Sequence, residues 1–300
     1  MKNIEKLRRV AEVLRKNHDL QERFDLRSEF LKYSITNSNE LGVRKDKICG
    51  IELVVSLTTY DKRLYSVALT IESIMQGSLK PNRIILWLQD DLKDVILPNS
   101  IKKQMERGLE VYYTKNILSY KKLIPTLLLC PESVIVTIDD DVLYEYDTLD
   151  RLFMAYCKNP SFIYGCRVKK IGINNKGIIE PYQSWTIMED VGIPSNLNMC
   201  IGVGGVLYPA HCFSDEVFNE EAFMRLCPHG DDLWFWLMAK EKGFKAVKVY
   251  THHSNGIDYI SNVGVQDISL RRDNVHKNGN DLQFMSLAKE YDLLKYLTNP

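Results

Sequence analysis

Between residues 51 and 138, short apolar runs alternate with segments of helical periodicity, and this alternation constrains the fold more than any other feature. The apolar runs have the length of β-strands and lie at residues 51–57, 83–88, 109–113 and 133–138. The segments between them predict helices at residues 63–76, 98–107 and 124–129. Strands and helices that alternate in this way are typical of a parallel sheet with helices on both faces. The sequence therefore predicts an α/β fold.

Outside this region the pattern is looser. Further helices are predicted at residues 2–33, 149–156, 231–241 and 282–297, and further strands at residues 162–168, 201–207 and 246–250. The polar segment 256–280 is predicted to be a loop. We expect an N-terminal helical extension at residues 1–48, an α/β domain at residues 49–255, and a C-terminal loop and helix at residues 256–300.

Composition excludes two classes of protein. The chain has 39 Lys and Arg residues and 39 Asp and Glu residues, and 45% of its 300 residues are hydrophobic. This apolar content at zero net charge excludes a disordered chain. The lack of net positive charge also argues against a dedicated binder of duplex nucleic acid, because such proteins neutralise phosphates with Lys and Arg. We therefore expect no nucleic-acid partner.

Features of the termini and cysteines bear on location. No apolar signal segment is seen, and no stretch approaches the ~20 apolar residues of a membrane span. The seven cysteines include no Cys-x-x-Cys pair, so we expect reduced thiols in a cytoplasmic protein. Residues 1–20 carry six Lys or Arg and three Asp or Glu on a helical pattern. This helix is expected to pack on the body or on a second subunit, or to contact anionic lipid peripherally at the inner face of the membrane.

Asp139, Asp140 and Asp141 directly follow the apolar run 133–138. Three adjacent carboxylates at the end of a buried strand repel one another and are costly without a cation. A divalent metal would remove that cost, and carboxylate oxygens suit Mg²⁺ or Mn²⁺. Ligands bind at the carboxyl ends of parallel strands, so the triplet predicts a metal site for substrate phosphates. The alternative is an exposed acidic turn that caps the next helix.

A second acidic pair, Asp231 and Asp232, begins a predicted helix. The helix dipole favours carboxylates there, so capping explains one of them, and a general base is an alternative for the other. In the segment 202–209, glycines allow a ligand to approach the backbone, although the pattern is not that of a dinucleotide site. His252 and His253 follow the last predicted strand and are either structural or complete a metal shell.

Six segments occur in one order within residues 50–255: VSLTTY at 55–60, PNRIILWL at 81–88, YKKLIP at 120–125, IDDD at 138–141, GVGGVLYP at 202–209 and DDLW at 231–234. Together they resemble the GT-A glycosyltransferases, specifically the family-2-like bacterial enzymes that build capsule and lipopolysaccharide glycans. The resemblance implies a GT-A fold with a mainly parallel central sheet, flanked by helices and extended by helices at both termini. It also implies a metal-dependent hexosyltransferase that moves a sugar from a UDP- or GDP-sugar to a hydroxyl of a glycan or lipid-linked glycan.

The resemblance implies roles for particular residues. The positions implied to bind the nucleotide-sugar are Thr58, Thr59, Tyr60, Arg63, Asp90, Lys121, Lys122, Asp139, Asp140, Gly204 and Gly205. The positions implied to bind Mn²⁺ or Mg²⁺ are Asp141, Asp139, His252 and His253. Asp231 or Asp232 takes the place of the catalytic base. Trp185 either stacks on an acceptor sugar or lies in the core.

Such a base would accept the proton of the acceptor hydroxyl, and in-line attack would invert the anomeric centre. A retaining mechanism remains open, since some GT-A families have the aspartate motif without a clear base. A sugar-nucleotide pyrophosphorylase is a further alternative, but the segment 58–63 lacks the expected glycine. A phosphatase of the haloacid dehalogenase type would place its nucleophile after the first strand, not the fourth. The last alternative is a non-catalytic, transferase-like partner subunit.

Overall fold

The computed structural model describes residues 2–262, 264–265 and 279–298, with side chains for all of these except residues 2–17, 294 and 298. The helices are α1 (Lys2–Asn37), α2 (Val67–Met75), α3 (Asn99–Glu106), α4 (Ile124–Leu129), α5 (Thr148–Lys158), α6 (Glu220–Leu226), α7 (Asp231–Glu241), α8 (Gly279–Tyr291) and α9 (Leu294–Thr298). The strands are β1 (Leu53–Thr58), β2 (Arg83–Gln89), β3 (Leu109–Thr114), β4 (Val134–Thr137), β5 (Val142–Tyr144), β6 (Phe162–Gly165), β7 (Val168–Lys170), β8 (Thr186–Ile187), β9 (Asn198–Cys200), β10 (Val206–Tyr208), β11 (Lys245–Lys248) and β12 (Tyr259–Ser261).

A seven-stranded sheet forms the centre of the molecule, with the strand order β11-β6-β10-β4-β1-β2-β3. Neighbouring strands are parallel, except that β10 runs antiparallel to both β4 and β6. In β1, which lies between β4 and β2, Val55 pairs with Ile84 of β2 and with Val136 of β4. The predicted α/β fold with a mainly parallel central sheet is confirmed.

Both faces of this sheet are buried, because alternate residues point to opposite faces and both sets are apolar. Val54 and Ile135 belong to one core, which also contains side chains of α4, α7 and α8. Val55 and Val136 belong to the other core, together with side chains of α2, α3 and α5. The helices therefore cover both faces, as the alternation predicted, and leave the carboxyl ends of the strands for a site.

The N-terminal helix α1 continues to Asn37, four residues beyond its predicted end. Phe24, Leu31 and Ile35 are buried, and α1 contacts α2 and α3. The Ser34 hydroxyl donates a 2.6 Å hydrogen bond to the Glu72 carboxylate, which attaches the last turns of the helix to α2. In the part of the chain that the structure describes, no helix combines the length and the apolar character needed to cross a membrane.

The prediction of one strand at residues 201–207 is wrong. A tight turn at Gly202–Gly204 precedes β10, because Gly205 has a φ of +88° and the Gly202 N–H bonds to a side chain instead of a strand. The predicted strand 162–168 is divided between β6 in the central sheet and β7 in a small sheet with β8 and β9.

Two C-terminal predictions also change. Within the predicted loop 256–280, β12 forms and pairs with β5, and residues 266–278 lie outside the described residues. The predicted helix 282–297 is interrupted at Asp292, whose φ is +46°, so α8 ends before it and α9 follows. A non-glycine residue in this conformation ends a helix because its Cβ is crowded there.

Candidate active site

A cavity of about 1000 Å³ opens at the carboxyl ends of β1, β2 and β4. Thr58 lines it from the end of β1 and Tyr60 from the loop that follows, Gln89 from the end of β2, and the three aspartates 139–141 from the loop after β4. Ligands of open parallel sheets bind at this edge because the strands and their crossover loops converge there. The cavity is therefore the candidate active site.

The middle aspartate of the triplet lies deepest. Asp140 accepts a 2.6 Å hydrogen bond from the Thr59 hydroxyl and a 2.8 Å bond from Arg63 Nη1. Arg63 Nη2 lies 2.9 Å from Asp141 Oδ2, so one guanidinium joins two of the three carboxylates. Burial raises the pKa of Asp140 to about 6, although Arg63 opposes that rise. Burial lowers the pKa of Arg63, but the charges of Asp140 and Asp141 outweigh it and leave the pKa raised.

The outer aspartate of the triplet is joined to the second acidic pair by a lysine. Lys122 Nζ lies 3.0 Å from Asp139 Oδ1 and 2.8 Å from Asp231 Oδ2. Burial lowers the pKa of Lys122, but these two aspartates and Asp232 outweigh it, so the pKa lies well above its ordinary value. The ammonium group is therefore a permanent cation that connects the end of β4 to the start of α7.

Asp232 occupies the first turn of α7 and lines the cavity. Its Oδ2 accepts a 2.9 Å hydrogen bond from the Gly202 N–H. A Cβ at Gly202 would lie 2.8 Å from Asp232 Oδ1 and 2.9 Å from Lys122 Nζ, so only glycine fits beside both groups. Burial, followed by the charge of Asp231, raises the pKa of Asp232 to about 7. A carboxylate with such a pKa can accept a proton near neutral pH.

Other predicted nucleotide-binding residues are distributed around this centre. Tyr60 lines the cavity with its ring 5.3 Å from the Arg63 guanidinium. Lys121 also lines it, donates to Asn116 Oδ1 at 3.0 Å, and has a pKa lowered by burial. Asp90 does not line the cavity; its carboxylate lies 2.7 Å from Lys93 on the surface.

The predicted glycines Gly204 and Gly205 lie behind the cavity wall, not in it. A Cβ at Gly204 would lie 2.9 Å from the Cβ of Arg167, so this glycine allows two chain segments to pack closely. Trp185 is 4% exposed and packs between Tyr182 and Phe284, with ring centroids 4.9 and 5.0 Å away. Its indole N–H donates to the Glu180 carbonyl at 2.8 Å, which is a core arrangement.

The two histidines lie away from the cavity. His252 Nε2 lies 3.0 Å from Asp147 Oδ2, and both histidine backbone N–H groups donate to the Asp258 carboxylate. Neither residue lines the cavity. Across the described residues, no three His, Cys, Asp or Glu side chains form a group able to hold a metal ion.

With the histidines outside the cavity, the aspartates are the residues left to hold a metal ion. Their mutual repulsion was expected to require a divalent cation, and the structure shows that Arg63 and Lys122 supply part of that charge. Five carboxylates line the cavity, at positions 139, 140, 141, 231 and 232, and Arg63 and Lys122 each pair with two of them. Carboxylate oxygens grouped in this way are hard donors, which suit Mg²⁺ or Mn²⁺.

Sequence reasoning missed one wall of the cavity. Arg167, Lys169, Tyr182 and Gln183 line it from β7 and the loop that follows. The alternation of Arg167, Val168 and Lys169 is a strand signal with two basic residues on one face, and it could have found the first two. Tyr182 and Gln183 had no comparable signal in the sequence, because their position depends on the long loop that follows β7.

Comparisons with known proteins add resemblances of shape. No protein-family model matches the chain, and no curated protein matches it. A structure of TarS from S. aureus with UDP aligns at 14% identity and a TM-score of 0.42, over 67% of this chain and 60% of that one. A mannosyltransferase from Pyrobaculum calidifontis with GDP-Man and Mn²⁺ aligns at 13% identity and 0.42, over 77% and 64%. A CMP-2-keto-3-deoxy-manno-octonic acid synthetase with CTP aligns at 10% identity and 0.38, over 68% and 89%.

Proposed function

We propose that the protein is a glycosyltransferase that moves a sugar from a nucleotide-diphospho-sugar to a hydroxyl group of an acceptor. The observation that carries the proposal is one cavity in which the aspartate triplet at the end of β4 faces a carboxylate of raised pKa across Lys122. Sugar transfer from a nucleotide needs these two functions together, namely a site for the diphosphate and a proton acceptor for the hydroxyl.

The nucleotide would lie against the loop after β1, where Thr58 and Tyr60 line the cavity. Mn²⁺ or Mg²⁺, held by Asp139 and Asp141, would neutralise the charge of the leaving diphosphate. Arg63 holds Asp140 and Asp141 in place through an ion pair with each. Asp139 shares Lys122 with Asp231, so the donor site and the start of α7 are positioned together.

Asp232 is the better candidate for the base. Asp231 Oδ2 lies 2.8 Å from Lys122 Nζ, so this carboxylate is already engaged by an ammonium group. Asp232 has a raised pKa and is held by the Gly202 N–H, which leaves the carboxylate oriented toward the cavity that it lines. Attack by a hydroxyl deprotonated there, in line with the departing diphosphate, would invert the anomeric centre.

The acceptor class rests on sequence. The six ordered segments resemble enzymes of bacterial capsule and lipopolysaccharide synthesis, which supports a surface glycan or a lipid-linked glycan as acceptor. Contact of α1 with a membrane or with a second subunit stays a prediction.

Ligand-dependent melting tests the proposal. The protein is heated with UDP, GDP, CMP and their sugars, with and without Mn²⁺. We expect one nucleotide series to raise the melting temperature only with metal, because a ligand that binds the native state stabilises it by mass action. Asp141→Asn should abolish the metal-dependent part, and Asp150→Asn, a change outside the cavity, should preserve it. If no nucleotide raises the melting temperature in either condition, the proposal is wrong.

A further inference from the structure

One wall of the cavity carries two basic residues that the proposed reaction does not use. Arg167 directly precedes β7 and Lys169 lies within it, two residues further on, and both side chains line the cavity. Val168 between them is fully buried, and Lys170 is exposed to solvent. This pair is hereafter called the β7 pair.

The β7 pair differs from Arg63 and Lys122 in how its charges are paired. Arg63 and Lys122 each contact two aspartates, whereas no carboxylate of the described residues forms an ion pair with Arg167 or Lys169. Among the described residues, Arg167 Nη1 donates to the Asn255 carbonyl at 3.4 Å, and Lys169 Nζ donates to the Tyr182 carbonyl at 2.9 Å.

The two charges also act on each other. Burial, followed by the neighbouring Arg167, lowers the pKa of Lys169 to about 8, and the charge of Asp281 opposes this only in part. Two like charges beside each other in a half-buried wall are unfavourable until an anion binds between them. Such a pair is costly to keep unless an anionic ligand uses it.

The β7 pair is held firmly in position. A Cβ at Gly256 would lie 2.9 Å from Arg167 Cα. Both Gly204 and Gly256 therefore pack closely against Arg167, just before β7. Lys169 Nζ lies 3.7 Å from the centre of the Tyr182 ring, and that ring packs on Trp185. The two basic groups are therefore preorganised, which lowers the cost of binding a ligand.

The β7 pair is linked through the backbone to the segment that holds Asp232. The Arg167 carbonyl accepts a 2.9 Å hydrogen bond from the Ile201 N–H, and the next residue, Gly202, donates to Asp232. The backbone of Arg167 is thus linked through Ile201 and Gly202 to the proposed base, and the triplet is bound to the segment after β1 by Thr59 and Arg63. A substrate whose hydroxyl meets Asp232 would bring its neighbouring substituents to the β7 pair.

We propose that Arg167 and Lys169 form a subsite for an anionic group of the acceptor, either a carboxylate or a phosphate. The proposal rests on the transferase function above for the identity of the acceptor. A guanidinium group matches the two oxygens of a carboxylate or phosphate, and an adjacent ammonium adds a second charge-assisted bond. The acceptor is accordingly an acidic or phosphorylated glycan and not a neutral one.

Three small probes test this subsite: methyl glucoside as the neutral reference, methyl glucuronide for a carboxylate, and methyl glucoside 6-phosphate for a phosphate. Their binding is measured by NMR titration on the wild-type protein and on Arg167→Gln, Lys169→Gln and Lys170→Gln. The last variant is the matched control, because Lys170 is the neighbouring lysine that points to solvent. Melting curves establish that each variant is folded.

We expect at least one anionic probe to bind the wild type about 10-fold more tightly than the neutral one, as a charged hydrogen bond would give. Arg167→Gln and Lys169→Gln should each remove most of that preference, and Lys170→Gln should retain it. The preferred anionic probe identifies the group as carboxylate or phosphate. Equal binding of all three probes by the wild type, or an unchanged preference in both variants, would overturn the proposal.

Nucleotide binding separates this test from that of the proposed function. The same variants are titrated with the nucleotide that stabilises the wild type, and we expect its affinity to be unchanged. If both variants lose nucleotide and anionic probe in parallel, the pair holds the diphosphate and the acceptor assignment is wrong. If no nucleotide binds the wild type, the transferase proposal fails, and the probe titrations still show whether the pair binds anions.

Discussion

Two networks of buried charge, one around Glu72 of α2 and one around the cavity, differ in how their charges are paired. In the first, Glu72 is completely buried and both its oxygens accept from Arg107 Nη1 at 2.9 Å. Gln104 and Ser34 donate to the same carboxylate, at 2.9 and 2.6 Å. In the second, the aspartates at positions 139–141 and 231–232 share Arg63 and Lys122 around the cavity.

The difference lies in how the charges are shared. The Glu72 carboxylate accepts hydrogen bonds from a guanidinium and from several neutral donors and does not line the cavity, so its network joins α1, α2 and α3. In the aspartate network, Arg63 and Lys122 are each shared between two carboxylates, and the network borders open space. Burial of charge is therefore no sign of function by itself; charged groups that line a cavity are.

The largest expected effect tests the catalytic side of this comparison. Asp232→Asn removes the proposed proton acceptor, so we expect sugar transfer to fall about 1000-fold, within the range of general base catalysis. Nucleotide affinity and melting temperature should not fall, because the substitution also removes a buried like-charge contact with Asp231. Initial rates with a radiolabelled donor measure this. A near-wild-type rate for Asp232→Asn with a large loss for Asp231→Asn would reverse the assignment.

The structural network should respond in the opposite way. Arg107→Met leaves Glu72 buried without its charge partner, so the free energy of unfolding should fall by about 3 kcal/mol. Transfer by the protein that remains folded should be unchanged. Urea unfolding measures the loss, and the double variant Glu72→Met with Arg107→Met is the control, since an apolar pair should recover part of it. If Arg107→Met abolished transfer without loss of stability, the two networks would not be separate.

The pH dependence sharpens the contrast further. Because the pKa of Asp232 is raised to about 7, kcat/KM should be about tenfold lower at pH 6 than on its plateau above pH 8. A carboxyl group whose pKa is higher in the folded state than its ordinary 3.8 stabilises the fold at low pH. That contribution is complete below pH 3.8 and is lost as the pH rises through about 7.

The stability of the wild type relative to Asp232→Asn should accordingly decrease between pH 4 and pH 8. Parallel urea titrations of the two proteins measure the difference, and the comparison removes the contribution of other groups such as Asp140. A difference in stability that does not change with pH would show that Asp232 titrates at its ordinary pKa.

The smallest expected effect concerns a residue that the sequence placed in the acceptor site. Trp185→Phe removes the indole hydrogen bond to the Glu180 carbonyl and should cost about 1 kcal/mol of stability. The acceptor KM should not change, because Trp185 is 4% exposed and does not line the cavity. An increase in the acceptor KM without loss of stability would return Trp185 to the site.

Much of the fold was predictable because it depends on local periodicity. The strands β1 to β4 and the helices α3, α4 and α7 lie within two residues of their predicted limits. The short strands β5, β8, β9 and β12 were missed, because two or three residues carry no period and are defined only by their partners. Residues of β5, β9 and β12 nevertheless line the cavity.

The candidate site was predictable where it follows a strand or begins a helix. Asp139 and Asp232 were identified in this way, and both line the cavity. The histidines were placed by their position after a strand, but Asp147 and Asp258 engage them instead. The position of the histidines in the sequence predicted that they follow a strand, but it did not predict the direction in which their side chains point.

The sequence by itself determined the α/β alternation, the burial of the sheet on both faces, and the acidic residues at its carboxyl edge. Local spacing is sufficient for these, because periodicity and burial act over a few residues. Only the tertiary structure decided which cation meets which carboxylate: Arg63 reaches an aspartate 77 residues away, and Lys122 joins the ends of β4 and α7. Such pairs depend on how the crossover connections pack, and charge attraction acts through space between segments whose separation in sequence carries no period.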